Sequence, residues 1–129
     1  MIVLDTHAWL WWTAEPRKLS RRARAAIDSA DRIGVCTISC YEVAALSARD
    51  RITLNRSARD WVAIALAQAR IQTLELDATA ALEAALLHRR SFPGDAADRI
   101  IYATARANRT ILVTKDARLR RFDREGTIW

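Results

Sequence analysis

Four short stretches of this chain each place an acidic residue where an extended run gives way to a helical pattern. They are Ile2-Val3-Leu4-Asp5, Thr37-Ile38-Ser39-Cys40-Tyr41-Glu42, Gly94-Asp95-Ala96-Ala97-Asp98 and Leu112-Val113-Thr114-Lys115-Asp116. A strand as short and wholly apolar as Met1 to Leu4 is buried on both faces, which points to a parallel sheet covered by helices on either side. Extended runs at Arg32 to Thr37, Ile71 to Leu74 and Thr110 to Thr114, with a last one at Thr127 to Trp129, alternate with helical stripes. This alternation predicts a three-layer α/β/α sandwich around a roughly five-stranded parallel sheet. In such sheets ligands bind beyond the carboxyl ends of the strands, where the strand order reverses. The acids are therefore expected at the edge where sites form.

The helical segments read as follows. His7 to Trp12 is a short helix stopped near Glu15-Pro16. Ser20 caps a helix whose face is Ala23, Ala26, Ile27 and Ala30. A helix runs from about Ser39 to Arg49, and the polar segment from Asp50 to Asn55 is irregular, a clip or small hairpin. Val62, Ala65, Leu66 and Ala69 set another stripe. Asp77 caps a helix with the stripe Ala78, Ala81, Leu82, Ala85 and Leu86. Ser91-Phe92-Pro93-Gly94 is a turn, and a helix from about Ala96 buries Ala97, Ile100, Ile101 and Ala105. Asp116 to Arg121 is a short helix. No linker or repeat divides the sequence, so residues 1–129 are expected to form one domain.

Each acid has a structural explanation. Ser39-x-x-Glu42 and Asp95-x-x-Asp98 have the form of capping boxes, and Asp5 and Asp116 can cap the helices that follow them. Capping does not require every cap on one edge to be acidic, since Ser, Thr and Asn serve without mutual repulsion. Clustered carboxylates, with no Cys or His set of zinc-ligand spacing, suit a hard cation such as Mg2+ or Mn2+, which takes oxygen ligands, water and substrate phosphate. The Thr6 and Thr114 hydroxyls can position a carboxylate or a water.

The four motifs together, in this order and over essentially the whole chain, resemble PIN-domain ribonucleases of the VapC toxin type from type II toxin–antitoxin systems. Asp5-Thr6-His7, Ser39-Cys40-Tyr41-Glu42, Pro93 to Arg99 and Thr114-Lys115-Asp116 carry the resemblance. It implies a five-stranded parallel sheet, Mg2+ (or Mn2+) dependence, and endonucleolytic cleavage of RNA by a metal-activated water. A cognate antitoxin protein and a homodimer are implied as well. Asp5, Glu42, Asp98 and Asp116 match the acidic quartet, with Asp5 and Asp98 as principal metal ligands. Asp98 is chosen over Asp95 because it begins the apolar helix Ile100-Ile101, which leaves Asp95 accessory. Related sequences often carry proline and an aromatic residue where this chain has Ala96-Ala97.

The remaining polar and aromatic residues divide between function and packing. The net charge is +6, and only Lys18 and Lys115 among 21 basic residues are lysine. The arginine fork suits phosphate, although an arginine-rich genome accounts for the bias equally well. Arg99 is a candidate contact for the scissile phosphate or a plain helix residue. Arg89-Arg90 and Arg118 to Arg121 are candidates for an RNA groove, and Arg21-Arg22 and Arg24 for a solvated face. Three indoles at Trp9, Trp11 and Trp12 cannot all face one core, so at least one is expected to be partly exposed, at a protein interface or over a neighbouring helix. Cys36 and Cys40 lack a zinc partner pair and read as packing residues. His7, next to Asp5, reads as a packing or locally hydrogen-bonded residue rather than a ligand or base, and His88 has no visible role. No signal peptide or membrane-length apolar run is visible, so a cytoplasmic location without membrane contact is expected.

Two rivals stand beside this reading. A phosphoaspartate-type Mg2+ phosphohydrolase would use Asp5-Thr6 and Lys115-Asp116, but it wants a second acid where His7 stands. A non-catalytic RNA-binding module would keep the acids as caps alone.

Overall fold

A computed structural model describes residues 1–87 and 91–129. His88 and the Arg89-Arg90 pair lie outside the described residues. Strand β1 (Ile2–Leu4) leads into α1 (Thr6–Ala14) and α2 (Arg21–Ser29), and β2 (Ile33–Cys36) into α3 (Thr37–Ala48) and α4 (Ala58–Leu66). β3 (Ile71–Leu74) is followed by α5 (Ala78–Leu86) and α6 (Ala96–Ala107). β4 (Ile111–Val113), α7 (Ala117–Phe122) and β5 (Thr127–Ile128) complete the order.

The strands form one parallel sheet in the order β3-β2-β1-β4-β5. Alternation within β1 explains the layers. Ile2 and Leu4 face a core made with Ala23, Ile27, Val43, Trp61 and Ala65. Val3 faces the opposite core, with Ala84, Ile101, Ala105, Leu112 and Leu119. The three-layer sandwich is as expected from the sequence. Register is the feature that builds the site, because Leu4 pairs with both Val35 and Val113. The chain leaves β1 toward β2 and later returns to β1's other side, so the order reverses between β1 and β4. Asp5 and Thr114 follow those two strands at the same level.

Ser20, Asp77 and Asp116 cap α2, α5 and α7 as expected, each side chain accepting from the backbone of the first turn. Residues 50–55 hold no strand, so the segment is irregular and not a hairpin. Three local expectations fail. First, β2 passes straight into α3 at Thr37, with Cys36 at the N-cap and no side-chain cap. Ser39 is therefore inside the helix, and Ser39-x-x-Glu42 is not a capping box. Second, α4 ends at Leu66, so Ala69 lies outside it, and its buried residues are Trp61 and Ala65. Third, α5 buries Ala80 and Ala84, while Leu82 and Leu86 are exposed. Small alanines let α5 approach its neighbour closely, and that closeness outweighs leucine burial at this contact. In α6, Ile101 and Ala105 are buried as expected, with Ala97 and Ile100 only half-buried. Among the described residues no helix is long and apolar enough to cross a membrane.

Candidate active site

Asp5 ends β1 and starts α1. Its N–H donates to the Val113 carbonyl at 3.1 Å, which ties it to the end of β4. Its carboxylate accepts from Ala8 N–H at 2.6 Å, capping α1 as expected. Burial pushes the Asp5 carboxyl above its ordinary range, and Asp116 pushes it further. The Thr114 hydroxyl, Ala8 N–H and nearby His7 pull it down. Thr114 is buried, and its oxygen also accepts from Asp116 N–H at 3.1 Å. One threonine thus locks the acid after β1 to the backbone of the acid after β4.

Asp98 and Asp95 do form a capping box at the start of α6. Asp95 accepts from Asp98 N–H at 3.0 Å, and Asp98 accepts from Asp95 N–H at 3.1 Å. Burial, with Asp95 and Glu42 nearby, raises the Asp98 carboxyl to about 6. Asp116 differs from its neighbours. Burial alone would raise it, but the Arg118 side chain and the Arg118 and Leu119 N–H groups hold it below its ordinary range. Arg118 reaches it through an ion pair of 3.2 Å.

Glu42 lies on the second turn of α3 and receives a 2.5 Å hydrogen bond from Thr6, a buried residue that also bonds Ser39 at 3.1 Å. Burial raises the Glu42 carboxyl, as do Asp95 and Asp5, while Thr6 and His7 oppose the rise. The two threonines singled out in the sequence therefore both orient carboxylates.

Asp5, Asp98, Thr114 and Asp116 line one cleft of about 500 Å³. Glu42 and Asp95 line an adjoining recess of about 350 Å³. Arg99 donates to the Gly94 carbonyl at 3.3 Å and lines neither, so its visible role is to brace the loop before α6. Arg118 lines the cleft, whereas Arg120 is half-buried and Arg121 is exposed outside it.

The donors are hard oxygens, and three of these carboxylates are raised by burial and by one another, which is the situation a divalent cation relieves. Among the described residues no group of three or more His, Cys, Asp or Glu is gathered closely enough to hold a metal ion. Mg2+ commonly takes only one or two carboxylates and completes its octahedron with water and phosphate, so the set fits such an ion. The cysteines offer no alternative. Cys36 is buried, which pushes its thiol up to about 12, and both cysteines are free.

Two features of the site escaped the sequence. Gly94 read only as a turn residue, yet a Cβ there would lie 2.5 Å from Asp98 Cβ and 2.8 Å from Phe92 Cε1. The Trp cluster also divides in an unforeseen way. Trp9 is fully buried edge-on to Trp61, and Trp12 is half-buried against the same core. Trp11 lines the acid cleft itself.

The PIN domain family model matches residues 2–125. Ribonuclease VapC22 of Mycobacterium tuberculosis is 43% identical over 130 residues, which span 99% of this chain and 98% of that protein. A toxin–antitoxin complex from Klebsiella pneumoniae matches with a TM-score of 0.70 at 18% identity, covering 100% of this chain and 97% of the other. VapBC2 from Rickettsia felis, bound to a DNA fragment from its promoter, matches at 0.66 and 16%, covering 99% and 98%. At those identities the structural likeness speaks for the fold.

Proposed function

The chain belongs to the PIN-domain family, and on that premise we propose that it is a metal-dependent endoribonuclease, the toxin of a type II toxin–antitoxin pair. The observation that carries this reading is the shared cleft of Asp5, Asp98 and Asp116 at the point where strand order reverses. Asp5 and Asp98 would hold Mg2+, with Mn2+ as a substitute, and Glu42 and Asp116 would add ligands or hold the ion's waters. Bound there, the cation supplies charge neutralisation and an activated water for phosphodiester hydrolysis. Thr114 keeps Asp5 aimed into the cleft, and Thr6 holds Glu42 at the adjoining recess. Arg118 brings positive charge beside the acids, where an RNA phosphate would sit.

The names of the similar proteins support two further assignments, an RNA substrate and an antitoxin protein as partner, and a cytoplasmic setting is consistent with such a pair. We assign residues 1–129 to one nuclease domain that pairs with a second copy.

Purified protein incubated with total RNA is expected to cut it with Mg2+ or Mn2+ and to stop when EDTA is added. Cleavage that survives chelation, or no cleavage with either metal, would overturn the reading. Gly94→Ala provides a further check. The added methyl pushes on Asp98 and the Phe92 ring, so the variant is expected to lose about 1–3 kcal/mol of stability. With Asp98 displaced, cleavage should fall roughly ten-fold or more in an assay well below the melting temperature. Wild-type rates in a destabilised Gly94→Ala would separate Asp98 from the chemistry.

A further inference from the structure

We propose that Trp11 and Lys115 form a nucleotide subsite on the wall of the acid cleft, where the indole stacks a base of single-stranded RNA beside the scissile bond and the lysine takes a phosphate. The inference rests on the ribonuclease reading and adds to it how the substrate is gripped. His7 and Trp11 are four residues apart on α1 and share a face, with ring centroids 5.6 Å apart. Lys115 Nζ lies 5.3 Å from the centre of the Trp11 ring. All three line the same cleft as Asp5, Asp98 and Asp116. They come from the connections after β1 and β4, the same two that present Asp5 and Asp116.

Three observations favour a ligand over mere packing. Trp11 is half-buried, so part of the indole faces the cleft, in contrast to the fully buried Trp9 two residues before it. Trp129 meets Trp11 edge-on at 5.7 Å, which helps fix the ring's attitude. Lys115 is exposed, and none of the ion pairs among the described residues includes it, so its charge rests only on the ring. A cation over an exposed ring is weakly held and exchanges readily for a phosphate, which uncovers the ring for a base. Aromatic platforms beside basic side chains bind single strands in this way, largely without regard to sequence. A volume of about 500 Å³ is of the size that encloses a small ligand.

The test measures the affinity of fluorescent oligouridylate and oligoadenylate of about ten nucleotides, with Mg2+ present and Asp98→Asn in every protein to prevent cutting. Trp11→Leu is expected to weaken binding on the order of ten-fold, and Trp11→Phe should restore most of it. An abasic residue walked along the oligonucleotide should cost affinity at one position with Trp11 in place and nothing there with Leu. A packing role would not produce that pattern. Lys115→Ala, an exposed change that leaves the core alone, should lower the slope of log affinity against log salt by about one. Equal binding by Trp11→Leu, an abasic penalty independent of residue 11, or an unchanged salt slope would overturn the subsite. If Trp11→Leu does not fold, the abasic scan on the Trp11 protein and the lysine variant decide: no single costly position and an unchanged slope sink the proposal. Wild-type cleavage with Mg2+, run alongside, separates the two failures. If it persists while the variants bind normally, only the subsite falls; if wild type neither cuts nor binds RNA, both fall.

Discussion

Asp5→Asn and Asp98→Asn are each expected to lower Mg2+-dependent RNA cleavage on the order of a thousand-fold while leaving the chain folded. Asparagine is the informative replacement because both acids also work as helix caps. Asp5 accepts from Ala8 N–H, and Asp98 accepts from Asp95 N–H. An asparagine oxygen accepts those bonds nearly as well, so only the charge is lost. Far-ultraviolet dichroism should be unchanged, and cleavage of total RNA should fall to background. Asp95→Asn is the contrast: it likewise keeps its half of the capping box while losing its charge, and is expected to lose far less activity. A folded Asp98→Asn that still cuts at the wild-type rate would remove Asp98 from the site.

Metal-free protein should lose stability as pH rises from about 4 to about 7, and Mg2+ should restore it. Asp98 is lifted from 3.8 to about 6, and Asp5 and Glu42 are raised too. A carboxyl raised in the folded state keeps its proton there after the unfolded chain has released its own. The folded state is therefore favoured below this window and penalised above it. Asp116 and Asp123 are lowered and act in the opposite sense, contributing stability that is lost as pH falls through their folded-state values. The raised group dominates the upper part of the range, so the melting temperature in EDTA should drop by several degrees between about pH 5 and pH 7. At a hundred-fold excess over its dissociation constant Mg2+ adds about 2.7 kcal/mol, roughly 10 °C for a chain of this size. Asp98→Asn should flatten the pH slope and blunt the Mg2+ response. A melting curve in EDTA that ignores pH, with no gain from Mg2+, would contradict the account.

Much of this was legible from the residues. A run such as Ile2-Val3-Leu4 has one sensible home, the middle of a covered sheet, and an acid directly after it must lie at the sheet's edge. Polar residues with one strong local preference, such as Ser20, Asp77 and Asp95, capped helices where they were expected to. What failed depended on distance and shape. α5 is apolar nearly all round, so periodicity could not choose its buried face, and the small residues won the closer contact. Ser39-x-x-Glu42 fits a capping box, but the helix had already begun at Thr37, and Glu42 was left for Thr6 across the sheet edge. Gly94 against Asp98 is a contact of atoms no periodic pattern encodes. Trp11 belongs with Lys115 only because the register of β1 and β4 brings residues from opposite ends of the sequence level.

That pairing of β1 with β4 has a consequence in time. Most of the chain, including Asp5, Glu42 and Asp98, can emerge from the ribosome without the central seam of the sheet being closed. Until residues 111–116 dock, the cleft lacks the wall that carries Thr114 and Asp116, and closing so long a loop is among the slower steps of folding. A nascent or truncated chain that stops short of β4 is therefore expected to leave the RNA around it uncut, the hazard switching on only once residues 111–116 have been made and docked.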